Sequence, residues 1–374
     1  MNIMKIDAEK SIPKYLQLKD IIIQQFEDGH YVAGQKIPTE NELMEQFDVS
    51  RSTIRQALSE LANEGMICKK QGSGTFFVGE AAATQERSYL IGVIMPRITY
   101  YIYPQLIQGI DEVIHTRNYS IVLGNANADP EKEFACLRQL IEKKVDGVLF
   151  EPTGGEHFLD SPIIQQIRRL TIPVVLMDWA IDELDLSFVS IDDQRGGFLA
   201  TNYLIDAGHR RIAYVYPSDK IPAMKRHEGY RRALHEAHID YDRRLDKPTI
   251  TARWDEPGHI ASLMKELLAL GEARPTAVFF FNDDGALHAY DGVREAGLRV
   301  PDDISIIGFD NSEVAARADV PLTSIEHSKY HIGRWAAETL LDEIEHPGGL
   351  PLRQLYMKPS VVERDSVKRL VGTA

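Results

Sequence analysis

From residue 89 onward the chain alternates short apolar runs with amphipathic stretches. The runs fall at 89–95, 119–124, 147–150, 173–177, 188–191, 212–216, 277–281 and 305–309, and the stretches between them include 104–117, 130–143, 194–207, 226–237, 257–269 and 284–296. A run that is apolar on both faces suits a strand covered on both sides, and a helix-length connection between such strands is what a parallel pair requires. The alternation predicts an α/β domain of parallel, doubly wound sheets. Phe279-Phe280-Phe281 reads as core for the same reason.

In such sheets ligands sit beyond the carboxyl ends of the strands, so the informative polar residues are those that follow each run. They are Arg97, Asn125, Glu151, Asp178-Trp179, Asp192, Asn282-Asp283 and Asp310, with Arg226 expected to open a helix. Groups that donate and accept, beside an aromatic plate for a C–H face, are what sugar hydroxyls require. Taken singly, each strand-end Asp or Asn reads equally well as a helix cap, and Asp283 is placed to serve both roles. The set as a whole favours a pocket. Tyr100-Tyr101-Ile102-Tyr103, directly after the first run, reads as a lid over it, with packing under a dimer interface as the other reading.

The 80-odd residues before this domain have a different pattern. Apolar residues Tyr15, Leu18, Ile22 and Phe26 recur at helical spacing until Asp28-Gly29. Thr39 and Glu42 form a capping box for a helix over 40–47, and a third helix is expected over 50–65. On that third helix Ile54, Ala57, Leu58 and Leu61 share one face, while Arg51, Ser52, Arg55 and Ser59 share the other. Two arginines one turn apart, flanked by hydroxyls, suit base edges and phosphates in a DNA major groove, although a charged stripe is more often simply solvated. Two short strands joined by Gly72-Ser73-Gly74 follow, and the small, polar stretch 80–88 reads as a linker.

Charge limits what this head can do. The whole chain carries a formal charge of -14, and residues 1–79 hold nine basic against eleven acidic residues, so net charge supplies no attraction to DNA. Affinity must rest on a few placed cations, Arg51, Arg55, Lys69 and Lys70 among them. The longest apolar runs fall far short of the ~20 residues of a membrane span, and no signal-like apolar region opens the chain, so a cytoplasmic location is expected. Cys68 and Cys136 lack the spacing of a metal site. His209, His227 and His327 stand near acidic residues, but no nucleophile elbow, phosphate-cradling loop or metal-spaced cluster accompanies them. Neither an enzyme nor a cofactor is expected, and His209 reads as a structural hydrogen bonder.

The segments Ile37-Pro38-Thr39-Glu40-Asn41-Glu42-Leu43, Val49-Ser50-Arg51-Ser52-Thr53-Ile54-Arg55 and Gln71-Gly72-Ser73-Gly74-Thr75-Phe76 together resemble the GntR-family DNA-binding domain. The resemblance implies an α+β winged helix-turn-helix over residues 1–79. In it Arg51 and Arg55 read the major groove and Ser50, Ser52 and Thr53 hold phosphates or flanking bases. The wing at Gln71, Gly72 and Ser73 enters the minor groove, and Thr39, Glu40 and Lys69 complete the expected DNA-facing set.

The remainder, 89–374, resembles the LacI-type effector domain in Lys144-Val145-Asp146-Gly147-Val148, Gly208-His209-Arg210-Arg211-Ile212, Arg226-His227-Glu228-Gly229-Tyr230, Phe281-Asn282-Asp283 and Val300-Pro301-Asp302-Asp303-Ile304. That domain is similar to periplasmic sugar-binding proteins. The resemblance implies two lobes, crossings of the chain near 191, 324 and 348, and a ligand in the cleft. Sugar contacts would fall on Arg226, Asn282 and Asp310, with Trp254 and His327 lining the cleft beside Arg97, Tyr101, Asn125, Glu151 and Asp178. Asp178-Trp179 departs from the Asp-Arg of many members. A GntR-type head on a LacI-type sensor is similar to the arabinose-responsive repressors of Gram-positive bacteria. That resemblance implies L-arabinose as effector, a homodimer held by the effector domain on palindromic double-stranded operator DNA, and release on sugar binding; another sugar is the alternative.

Overall fold

The computed structural model describes residues 13–27, 30–31, 34–63, 65–70, 74–77, 87–154, 158–179, 181 and 183–370. The head consists of α1 (Lys14–Glu27), α2 (Glu40–Phe47) and α3 (Arg51–Asn63), followed by β1 (Ile67–Lys70) and β2 (Gly74–Phe77). Leu18, Ile22 and Phe26 of α1, Leu43 and Phe47 of α2, and Ile54, Ala57, Leu58 and Leu61 of α3 share one core with Ile37, Ile67 and Phe77. Thr39 caps α2 reciprocally, its N–H donating to Glu42 at 2.7 Å and its hydroxyl accepting from the Glu42 N–H at 3.4 Å. Asp48, at φ 50°, ends α2 in the left-handed region. Ser50 Oγ then accepts from the Thr53 N–H at 3.3 Å and starts α3.

β1 and β2 pair antiparallel with Ile67 opposite Phe77. Residues 35–37 extend this wing, since Ile37 N donates to Thr75 O at 2.9 Å and Phe77 N to Gln35 O at 2.8 Å. The wing tip, Gln71, Gly72 and Ser73, lies outside the described residues, as does the expected linker up to residue 86.

The second unit runs β3 (Leu90–Met95), α4 (Tyr103–His115), β4 (Ser120–Asn125), α5 (Pro130–Glu142), β5 (Gly147–Phe150), α6 (Pro162–Ile167), β6 (Val174–Met177), β7 (Ser187–Ile191), α7 (Asp193–Asp206), β8 (Ile212–Pro217), α8 (Ile221–Glu236), β9 (Asp246–Thr249), α9 (Thr251–Trp254), α10 (His259–Leu268), β10 (Ala277–Phe280), α11 (Asp283–Glu295), β11 (Ser305–Asp310), α12 (Glu313–Ala316), β12 (Thr323–Glu326), α13 (Lys329–Glu345), β13 (Gln354–Met357) and β14 (Val361–Val362). Asp146 ties down its start, accepting from the Ser88 and Tyr89 N–H groups at 3.0 Å each.

The strands form two six-stranded sheets among the described residues, β13-β7-β6-β5-β3-β4 and β14-β12-β11-β10-β8-β9. All pairings are parallel except β12 with β14. Each sheet is the centre of one lobe. In both, the lobe's first strand lies between its second and third, so the order reverses beside β3 and beside β8, the points where α/β sheets open a crevice.

The chain passes between lobes after β7, after β12 and between β13 and β14. The third crossing lies at 358–360, not near 348, because β13 first pairs with β7 in the first sheet. α8 begins at Ile221 with Pro222 in its first turn, so Arg226 lies inside the helix and does not open it.

In each lobe two helices cross backbone to backbone. A Cβ on Gly109 of α4 would lie 2.0 Å from the Tyr330 carbonyl of α13, and one on Gly333 would lie 2.1 Å from that of Leu106. In the second lobe Gly197 of α7 and Gly229 of α8 would each place a Cβ 2.0 Å from a carbonyl, those of Arg226 and Gln194.

Candidate effector cleft and DNA-reading surface

The loops at the two order reversals face each other and, with other strand ends, enclose a cavity between the lobes. Its wall includes Arg97, Glu151, Asp178, Arg226, Trp254, Asn282, Asp310 and His327, all expected from sequence. Tyr100, Tyr103, Trp179, Lys220, Asp255 and Phe281 join them. Phe279 and Phe280 are fully buried as predicted, but Phe281, expected as core, lies past the end of β10 and turns to the cleft. Asn125 does not reach the cavity. β4 is an edge strand, so its end lies to one side, where the exposed Asn125 side chain accepts from the Ile98 and Asn127 N–H groups.

His327 organises the floor. Its Nε2 lies 2.6 Å from Asp178 Oδ1 and its Nδ1 3.3 Å from Asp310 Oδ1, with the ring 1% exposed. Burial disfavours the imidazolium, but the two carboxylates outweigh it and hold the His327 pKa up at about 9. Burial likewise pushes Asp310 upward, and the positive charges of His327, Arg226 and Lys329 more than reverse it. Both aspartates sit at positive φ, 60° for Asp178 and 107° for Asp310, a conformation that non-glycine residues adopt only where surrounding contacts impose it.

Arg226 is buried with its Nε 2.7 Å from Asp193 Oδ1 and its Nη1 donating to the Phe281 carbonyl at 2.6 Å. Its guanidinium carbon lies 3.4 Å from the Phe309 ring centroid. These contacts fix the fork in the cleft wall.

Besides His327 Nδ1, which is ion-paired with Asp310 without meeting hydrogen-bond geometry, two buried polar atoms in the wall have no hydrogen-bond partner among the described residues, Glu151 Oε2 and Trp254 Nε1. Glu151 Oε1 accepts from the Tyr103 hydroxyl at 2.8 Å. Burial, reinforced by the charge of Asp178, pushes the Glu151 pKa up to about 8. Each lobe contributes one tryptophan seated over a glycine. A Cβ on Gly285 would lie 2.3 Å from Trp254 Cζ2, and one on Gly154 2.7 Å from Trp179 Cη2.

Several strand-end residues are structural. Asp192 caps α7 by accepting from the Arg195 N–H at 2.9 Å. Asn282, not Asp283, caps α11, its Oδ1 accepting from the Gly285 N–H at 2.9 Å. Asp283 is fully buried beneath, accepting from the Ser312 N–H at 2.7 Å and the Ser324 hydroxyl at 2.6 Å. His209 bridges Thr276 Oγ1 and the Lys368 carbonyl at 3.0 and 3.1 Å, a tie for the C-terminal segment.

On the head, Arg51, Ser52 and Arg55 are exposed on α3, opposite its buried face. Arg51 Nη2 donates to Asn41 Oδ1 at 2.6 Å, and Arg55 Nε lies 3.1 Å from Glu40 Oε2. Both arginines are thereby aligned by α2. Ser50 Oγ lies 2.9 Å from the hydroxyls of both Ser52 and Thr53, placing three hydroxyls at the start of α3. Thr39 is exposed at the start of α2, and Lys69 is exposed on the wing strand β1. An edge of arginine forks and clustered hydroxyls at a helix N-terminus is able to meet bases and phosphates together.

Among the described residues no helix is long and apolar enough to cross a membrane, and no cluster of His, Cys, Asp and Glu is arranged to hold a metal ion.

Comparison with known proteins gives two separate family matches. Residues 14–77 match the family of bacterial regulatory proteins, gntR family, and residues 201–367 match the periplasmic binding protein-like domain. The chain is 36% identical to an arabinose metabolism transcriptional repressor of Geobacillus stearothermophilus over 97% of this chain and 100% of that protein. It is 36% identical to the ribose operon repressor of Escherichia coli K12, over 75% of this chain and 82% of that one. The structure of a LacI family transcriptional regulator from Enterococcus faecium with bound ribose superposes with a TM-score of 0.65 and 29% identity, covering 75% of this chain and all of that one.

Proposed function

Because the chain belongs to the family of arabinose metabolism transcriptional repressors and itself joins a gntR-type head to a periplasmic binding protein-like domain, we propose that it represses genes of arabinose use and is released from its operator by L-arabinose. It is a DNA-binding regulator and not an enzyme. The observation that carries the sugar reading is the unpartnered pair in the cleft wall: a buried acceptor or donor at Glu151 Oε2 and a buried donor at Trp254 Nε1, beside two aromatic plates. An unmade buried hydrogen bond costs roughly 1–3 kcal/mol, so a ligand that supplies two hydroxyls and an apolar face gains from both.

The sugar would be held by Glu151, Asp178, Arg226, Trp254, Asn282 and Asp310, with His327 fixing the two aspartates. Arg51 and Arg55 would read the major groove, with Ser50, Ser52, Thr53 and Thr39 on phosphates and Lys69 on the wing side. Two heads on a palindromic operator require a homodimer, for which the effector domain, from residue 89 on, supplies the contact in this reading, and the protein works in the cytoplasm. Sugar in the cleft favours the closed lobes, and closure must disfavour the DNA-bound arrangement by about 1–3 kcal/mol to act as a switch.

The test is calorimetry with a panel of pentoses and hexoses, followed by a salt-matched gel shift. L-arabinose should bind and should lower operator affinity. Binding and release by a different pentose would replace the ligand and retain the switch, whereas no sugar binding at all would sink the reading.

A further inference from the structure

Among the described residues, the ties from the β3 loop to the second lobe all start within five residues of sequence. Arg97 Nη1 lies 2.7 Å from Asp255 Oδ2. The Tyr100 hydroxyl accepts from Asn282 Nδ2 at 2.6 Å, and the Tyr101 hydroxyl donates to Asp310 Oδ2. Those three partners lie on separate segments of the second lobe, after α9, after β10 and at the end of β11. The two rings stack obliquely at 4.5 Å between centroids, so one rigid aromatic unit reaches both strand ends.

These contacts do not exhaust their partners. Asn282 uses Oδ1 to cap α11 and one Nδ2 hydrogen for Tyr100, leaving its second N–H. Asp310 Oδ2 retains a lone pair beside the Tyr101 hydroxyl. A sugar therefore need not expel the tyrosines to bind. The hydroxyls hold the lobes together, and they do so on the very residues a sugar would contact.

We propose that Tyr100 and Tyr101 are positioning residues that form an interlobe clasp: their hydroxyls close the cleft part-way before any sugar arrives and thereby set how much sugar is needed to trigger release. The proposal deepens the reading of the cleft as a sugar site. A hydroxyl that is hydrated when the lobes part and bonded when they meet favours closure by a factor of roughly three to ten. Because the clasp acts on the closing equilibrium, it tightens every cleft ligand by the same factor.

The test uses the full chain carrying Tyr100→Phe, Tyr101→Phe or both, which keep the rings and their packing. Spin labels at Lys143→Cys and Ala296→Cys, one exposed position per lobe, in a Cys68→Ser, Cys136→Ser background, report the interlobe distance without sugar. The double variant should shift that distance toward the open form. Its Kd for L-arabinose should rise by roughly three- to tenfold for each hydroxyl removed, and a weaker-binding pentose should lose the same factor. An unchanged sugar-free distance overturns the clasp, whatever happens to affinity, and tighter sugar binding overturns it by showing that the hydroxyls compete with the ligand. If the wild-type chain bound no pentose, the sugar reading would fall, while the distance measurement would still decide the clasp.

Discussion

Arg55 on α3 points its Nε at Glu40 Oε2 of α2, 3.1 Å away, with the arginine side chain 65% exposed. The acidic partner aims the guanidinium without burying it. Exposed ion pairs contribute little to stability, so the pair serves alignment.

Arg55→Ala should weaken operator binding at least about fivefold at fixed salt, since a base-reading arginine is worth about 1–3 kcal/mol. Glu40→Gln should do the opposite to unrelated duplex, raising its affinity by removing a charge next to the phosphates, and should lower the ratio of specific to nonspecific binding. Gel shifts on operator and scrambled duplex measure both; an Arg55→Ala affinity within threefold of wild type would remove α3 from the reading role.

Glu151 is held largely protonated at neutral pH by its pKa of about 8. Glutamine is then its close mimic. Glu151→Gln should bind L-arabinose within roughly threefold of wild type, and Glu151→Ala, which also strands the Tyr103 hydroxyl, should lose tenfold or more. Calorimetry at pH 7 separates the two, and equal losses would mean that the carboxylate form is the one required.

Gly285→Ala should abolish the seat of Trp254, because the new methyl would lie 2.3 Å from a ring atom that cannot bend away. Overpacking of this kind costs about 1–3 kcal/mol. Denaturant titration should show that loss and calorimetry a fall in sugar affinity; a variant as stable and as tight as wild type would show that Trp254 is free to move.

Stability should decline as pH rises through the neutral range. His327 has a folded pKa of about 9 against an ordinary 6.5, so its contribution is complete below pH 6.5 and is lost as pH climbs through 9. Glu151, at about 8, and Glu133, raised by burial to about 7, act in the same direction, since the folded chain keeps protons that the unfolded chain has released. The melting temperature should therefore fall from pH 6.5 to 9.5, and His327→Gln should flatten the slope. A flat or rising wild-type profile would contradict the buried charge assignment.

The strands were legible because parallel strands covered on both faces are apolar throughout, as in Val174–Met177 and Ala277–Phe280. β13 was missed because an edge strand alternates, with Tyr356 52% exposed, and so lacks that mark. The strand-end rule found Glu151, Asp178 and Asp310, but it also selected Asn125, since sequence does not say which strand lies at an edge. Lys220 and Asp255 were invisible for a related reason. They line the cleft through the loop geometry that follows β8 and α9, not through a pattern of their own. The cap fell on Asn282 and not on Asp283 because helix α11 begins one residue earlier than the capping argument placed it.

The glycine crossings of α4 with α13 and of α7 with α8 have a mechanical consequence. With carbonyls where side chains would be, neither helix pair has slack to slide, so each lobe is expected to act as a stiff lever arm that bends at the three connecting segments. A ligand the size of a monosaccharide then loses little of its binding free energy to internal deformation. A small angular change at the cleft is carried undiminished to the far end of α13, about 25 Å away along its 17 residues.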